Sequence, residues 1–259
     1  MDLRDILVCV DATAAGEGRL RIAAAIAREH SAHLSAAYVL QAANGERGAE
    51  VADSVERRFR DAVHPHAVAG DWHLFLPGEG ENLVALLKTV DLAIFGQASP
   101  EHRVPSGFRP DDLVMAGGRP VLIIPYAGEF GAIGRRVLVA WDGTREASRA
   151  LHDALLVIAE AKTVIVMTVR SDEASADRIR LSLDRVVRHL ARHGIPAHPE
   201  DALRGDIPIS DLLLSRAADF DADLIVAGAY HHSPLREALL GGVSRELLQH
   251  MTVPVLMSH

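Results

Sequence analysis

The chain has 259 residues, 49% of them hydrophobic and 24% charged, with a formal net charge of -8. That length accommodates about two ordinary domains, each large enough to bury a core of its own. The acidic balance opposes non-specific binding to nucleic acid, which needs clustered lysine and arginine, but leaves room for a small anion held by backbone N–H groups.

Met1–Asp5 has neither a basic n-region nor a long apolar core, so no signal peptide is expected. The first strand pattern is Ile6–Val10, inside Asp5-Ile6-Leu7-Val8-Cys9-Val10-Asp11. Its lone cysteine, Cys9, has no intrachain disulfide partner, which points to a reducing, cytoplasmic setting. Arg19–Glu29 is rich in Ala, Ile and Arg and predicts a helix; Leu34–Leu40 predicts a second strand. Gln41–Gly48 reads as a mobile loop. Strands are expected at Trp72–Leu76, Leu92–Phe95 and Val121–Ile124, while Ser99–Pro110 holds three prolines and no helical period. Tyr126–Gly134 carries Gly128, Gly131 and Gly134 and reads as a linker.

Beyond the linker the same order returns. Strands are expected at Val137–Trp141, Val164–Val169, weakly at Ala197–Leu203, then at Leu224–Ala227 and Val253–Met257. Glu146–Ala161 and Ala176–His193 show apolar residues at helical spacing. Trp72 and Trp141 fall in strand patterns and are expected in the cores. The longest near-apolar stretch, Ala154–Val169, is interrupted by Glu160 and Lys162 and is too short to span a bilayer.

The halves repeat at offsets of about 131 to 134 residues: Asp5–Asp11 against Arg136–Asp142, Asp91–Gly96 against Asp223–Gly228, Pro120-Val121-Leu122 against Pro254-Val255-Leu256. Short, nearly continuous apolar strands alternating with helices give an α/β fold. Each half is expected to be a doubly wound parallel sheet, with domains at 1–127 and 135–259. In such sheets ligands lie outside the carboxyl ends of the strands, at the switch point of the strand order. In the second half that places Asp142, Val169 with Arg170, and Gly228 together, followed by the loop Ala229–Arg236 and then Gly241-Gly242-Val243-Ser244. Glycines leading into a helix N-terminus suit an anion, because the backbone can approach closely and free N–H groups point at it.

These residues resemble the universal stress proteins in their tandem, two-domain form, over essentially the whole chain. The resemblance implies an adenine nucleotide alpha hydrolase-like fold in each half. Nucleotide-binding members carry G-x2-G-x9-G-[S/T] after the fourth strand. Here Gly228 fits, His231 stands at the second glycine, Gly241 fits, and Gly242 stands where Ser or Thr is expected. The resemblance implies ATP, with Mg2+ in attendance, across the strand ends. Asp142 would lie beside the nucleoside and help hold a metal, Val169 would contact adenine through its backbone, and Ala227 and Gly228 would line the ribose. Gly241, Gly242, Val243 and Ser244 would face the phosphates, with His231 either assisting phosphate or solvated. It further implies that the two halves pair as a pseudo-dimer through the last strand of each, with a homodimer of chains and unknown protein partners beyond that.

The first half keeps Asp11, Gly96 and Gly117-Gly118 but loses the loop glycines, and Asp111 and Asp112 add negative charge; it is expected to be structural. Two functions stay open: an adenine-nucleotide-binding stress-response module, and a protein of the same fold that binds no nucleotide and works through partners. No activated nucleophile beside a base is spelled out, so turnover is expected to be at most slow ATP hydrolysis. His189 and His193 are spaced for zinc but lack a third ligand and are expected to be exposed; His64, His66, His231 and His232 have no matching ligand set. Arg204 reads as part of a solvated turn. The sequence contains no G-x-G-x-x-G after a first strand, no G-x-x-x-x-G-K-[S/T] and no G-x-S-x-G.

Overall fold

The computed structural model describes residues 3–40, 47–98, 110–170, 176–229 and 242–259. The chain divides into two compact units, Met1–Gly131 and Ala132–His259.

Unit 1 runs β1 (Asp5–Val10), α1 (Ala14–His30), β2 (His33–Val39), α2 (Arg47–Val63), β3 (Gly70–Phe75), α3 (Gly80–Leu87), β4 (Leu92–Gly96), α4 (Pro110–Gly117) and β5 (Val121–Ile124). Its strands are parallel in the order β3-β2-β1-β4-β5. Unit 2 runs β6 (Arg136–Ala140), α5 (Arg145–Ala154), β7 (Thr163–Arg170), α6 (Ala176–Arg192), β8 (Ala197–Leu203), α7 (Ile209–Asp219), β9 (Leu224–Gly228), α8 (Val243–His250) and β10 (Val255–Ser258). Its strands are parallel in the order β8-β7-β6-β9-β10. The same topology therefore appears twice, and each unit has its switch point beside its first strand.

The central strands are apolar on both faces because helices cover both. Ile6, Leu7 and Val8 are buried without exception, as are Val137, Leu138 and Val139. No polar side chain fits within such a strand, so polar groups collect at its ends. At the amino end each unit uses one aspartate as a clamp. Asp91 Oδ2 accepts the N–H groups of Arg4 (2.8 Å) and Asp5 (3.0 Å). Asp223 accepts those of Gly134 (2.8 Å), Arg135 and Arg136 (3.0 Å). Gly134 has φ 85°, and a Cβ there would come within 2.5 Å of Val157 O, so this glycine is needed on both counts. Edge strand β8 carries Pro199; with β7 on one side only, its missing N–H breaks no ladder.

Several expectations shift. Arg47 and Gly48 begin α2 instead of closing a loop, because the amphipathic run that follows extends the helix backward. The helix predicted over Glu146–Ala161 ends at Ala154, where turns lead to β7. The last strand starts at Val255, not Val253, since Pro254 has no N–H for the ladder. Trp141 lies just past β6 and Trp72 on the edge strand β3; both are half-buried, not core. Trp72 stacks on Tyr38 at 6.0 Å between ring centroids, and Trp141 donates to Ser182 Oγ at 3.0 Å. Among the described residues no helix is long and apolar enough to cross a membrane.

Asp223→Ala is expected to destabilise unit 2 by about 1–3 kcal/mol, because three backbone donors lose their acceptor. A denaturant unfolding curve unchanged from that of the unaltered protein would refute the clamp.

Candidate functional site at the strand ends

At the carboxyl end of β6 the chain leaves the sheet through Asp142, which is exposed. Asp142 Oδ1 accepts from Thr144 N at 3.0 Å and from Thr144 Oγ1 at 2.6 Å. Thr144 in turn caps α5, accepting from Ala147 N at 3.1 Å. One aspartate and one threonine thus fix both the turn after β6 and the start of α5. Asp142 Oδ2 receives no donor among the described residues.

Gly228 ends β9, and α5 lies directly on it: a Cβ there would come within 2.6 Å of Ala147 N and of the Glu146 carbonyl carbon. Ala227 is buried beside it. Val169, half-buried, and Arg170 close β7 on the far side of β6, with Arg170 Nε 3.2 Å from Asp201 Oδ2. Gly242 forms the N-cap of α8 and has no side chain to cap with; its carbonyl accepts from Arg245 N (2.9 Å) and Glu246 N (3.2 Å). Val243 follows, exposed, and Ser244 is buried. β6, β7 and β9 are neighbours in one parallel sheet, so Asp142, Val169, Ala227 and Gly228 share its carboxyl edge. His231 and Gly241 lie outside the described residues, as do His232 and nearly all of Ser99–Pro110.

The equivalent edge of unit 1 starts from the same parts. Asp11 Oδ1 accepts from Thr13 N at 2.9 Å and from the Thr13 hydroxyl, and Thr13 caps α1 by accepting from Gly16 N at 3.0 Å. Here, however, the carboxylate turns inward. Arg19, only 5% exposed, places Nη2 2.6 Å from Asp11 Oδ2 and donates Nε to Cys9 O at 2.6 Å. The guanidinium lies over Gly96, where a Cβ would collide with Nη1. Gly16 makes the inward turn possible, since a Cβ there would collide with the Asp11 carboxylate. Unit 2 has Ala147 and Ala150 in the places of Gly16 and Arg19, counted from the capping threonines.

Burial alone would raise the Asp11 pKa; Arg19 and the Thr13 hydrogen bonds outweigh it and hold the carboxyl below the usual range. Burial also pushes the Cys9 thiol up to about 11, which leaves it unreactive at neutral pH. The sequence reading missed Arg19. Its signal was a cation inside the apolar face of a helix, six residues after a capping Thr.

His189 and His193 are not isolated on α6. His189 stands 5.1 Å from His152 of α5 and 4.7 Å from His193, ring centre to ring centre. Among the described residues His189 Nε2 is buried without a hydrogen-bond partner, while His152 Nδ1 lies 2.8 Å from Ser148 O. Among the described residues no group of three such side chains is arranged to hold a metal ion. Arg204 is exposed in its turn, with Nε 3.2 Å from Ile207 O.

Residues 134–259 match the model of the Universal stress protein family. Among solved structures, a universal stress protein from Archaeoglobus fulgidus DSM 4304 aligns with a TM-score of 0.79 at 16% identity, over 98% of this chain and 95% of that one. A functionally unknown protein from Pseudomonas aeruginosa PAO1 aligns at 0.67 and 18% identity, over 99% and 92%. A putative universal stress protein from Pseudomonas aeruginosa UCBPP-PA14 aligns at 0.65 and 18%, over 99% and 93%. At these identities the likeness is one of fold, and it covers both units. No curated protein sequence matches the chain.

The histidine contacts carry a pH dependence. Burial, then His152, His193 and Arg192, hold the His189 pKa below its usual value. As pH falls through about 6.5, the unfolded chain takes up a proton that the folded one resists, so stability declines toward pH 5. His189→Leu is expected to flatten this decline, as measured by urea midpoints at pH 7.5 and 5.5. Parallel declines in both proteins would refute it.

Proposed function

The chain belongs to the universal stress protein family through its second half, and on that premise we propose that unit 2 binds an adenine nucleotide, ATP with Mg2+, across the ends of its strands. The observation that carries this reading is Asp142: exposed at the switch point, held by Thr144, and with Oδ2 free of any donor among the described residues. At Gly228 the end of β9 meets the start of α5 through backbone alone, and Gly242 begins α8 without a side chain. Asp142 would meet the nucleoside and the metal's water shell, Val169 the adenine, and Ala227 and Gly228 the ribose. Gly241, Gly242, Val243 and Ser244 would meet the phosphates through N–H groups at the start of α8, with His231 nearby. A metal here would be carried by the phosphates and steadied by one carboxylate, as Mg2+ usually is.

A second reading, a stress-response protein that binds no nucleotide and acts through protein partners, draws on Gly242. It stands where nucleotide-binding members place Ser or Thr, and α8 starts without a side-chain cap. Pairing of the two halves, or of two chains, belongs to either reading, as does a cytoplasmic setting.

Calorimetric titration of ATP and Mg2+ into the nucleotide-stripped chain is expected to give one site per chain. Gly241→Val should abolish binding with the fold intact, and Asp142→Ala should weaken it about tenfold, the worth of one charge-assisted hydrogen bond. Absence of heat and of thermal stabilisation at millimolar ATP would favour the partner reading. Unaltered affinity in Gly241→Val would remove the phosphate loop from the site.

A further inference from the structure

The two switch points differ at two positions of consequence, Gly16 against Ala147 and Arg19 against Ala150. In unit 1 the β1–β4 register runs to Val8 and Ile94, and just beyond it Cys9 O accepts from Arg19. Arg19 Nε meets Cys9 O, its Nη2 meets Asp11 Oδ2, and its Nη1 covers Gly96. These are the strand-end groups beside which open α/β sheets hold small molecules. In unit 2 the β6–β9 register runs likewise to Val139 and Val226, Ala150 stands in place of Arg19, and Asp142 is left exposed.

We propose that Arg19 is a built-in ligand of unit 1: its guanidinium occupies the switch-point crevice, closes it to small molecules, and would leave behind, if removed, a site for a free guanidinium cation. Three features select that chemistry. The site offers a carboxylate and a carbonyl oxygen, both acceptors, to a planar donor, and Arg forks match such acceptors better than an ammonium does. Gly96 and Gly16 keep the space flat on either side of the Asp11–Arg19 pair. Arg19 is buried and Asp11 half-buried, so the guanidinium, once its carboxylate is lost, has little water to replace it. The inference concerns unit 1 and stands whether or not unit 2 binds nucleotide.

The test is thermal unfolding of Arg19→Ala with and without millimolar methylguanidinium. The variant is expected to melt roughly 10 °C below the unaltered chain, as befits a broken buried pair. Methylguanidinium should recover several degrees in the variant, methylammonium less, and neither should move the unaltered chain. The double variant Arg19→Ala with Asp11→Asn should show no recovery, because the carboxylate that orients the cation is gone. An Arg19→Ala midpoint equal to that of the unaltered chain, or a folded variant indifferent to methylguanidinium, overturns the proposal. Should Arg19→Ala fail to fold by itself, its refolding yield with methylguanidinium is read instead, and no gain in yield overturns it equally.

Discussion

Parallel strands covered by helices on both faces leave no place for a charged side chain along the buried length of the central strands, and much of this structure follows from that exclusion. Ile6–Val8 and Val137–Val139 are wholly apolar and wholly buried. Four aspartates that shape the strand ends follow from the same exclusion. Asp91 and Asp223 gather backbone donors at the amino end, and Asp11 and Asp142 organise the turn into a helix at the carboxyl end. The first pair is held by the N–H groups of the incoming strand. The second pair is where the two units part company, because a carboxylate at the switch point can be satisfied from inside or left open to solvent.

What decides between those outcomes is small. Gly16 and Ala147 differ by a methyl group, yet a methyl group at position 16 would stand where the Asp11 carboxylate lies. Arg19 and Ala150 differ in whether a cation is on hand to receive the inward-turned carboxylate. The same Asp–Thr turn precedes both helices, so the local turn is held constant while only in unit 1 does a cation meet the second carboxylate oxygen.

The fold was legible because its signal is redundant. Apolar runs, turn residues and a repeat offset of about 131 to 134 residues all point to one topology. Boundaries were less legible where a side chain's effect is not periodic: Gly48 is drawn into α2 by the residues after it, and Glu146–Ala161 keeps its helical spacing past the point where the helix stops at Ala154. The strand-end position of Asp142, Val169 and Gly228 could be read from topology alone. The Asp11–Arg19 contact was only half legible: a cation inside the apolar face of α1 shows in the sequence, but its reach back ten residues to Cys9 O does not. The three-histidine contact was half visible: the spacing of His189 and His193 shows on one helix, while His152 comes from another.

An aspartate neutralised by a cation from its own chain has a thermodynamic consequence. A domain that borrows its counter-charge from solution gains stability as the logarithm of the ligand's concentration, and loses it when the ligand is scarce. Unit 1 carries that charge covalently, at an effective concentration no metabolite pool can alter. The neutralisation of Asp11 therefore draws on no solute, whatever the composition of the surroundings.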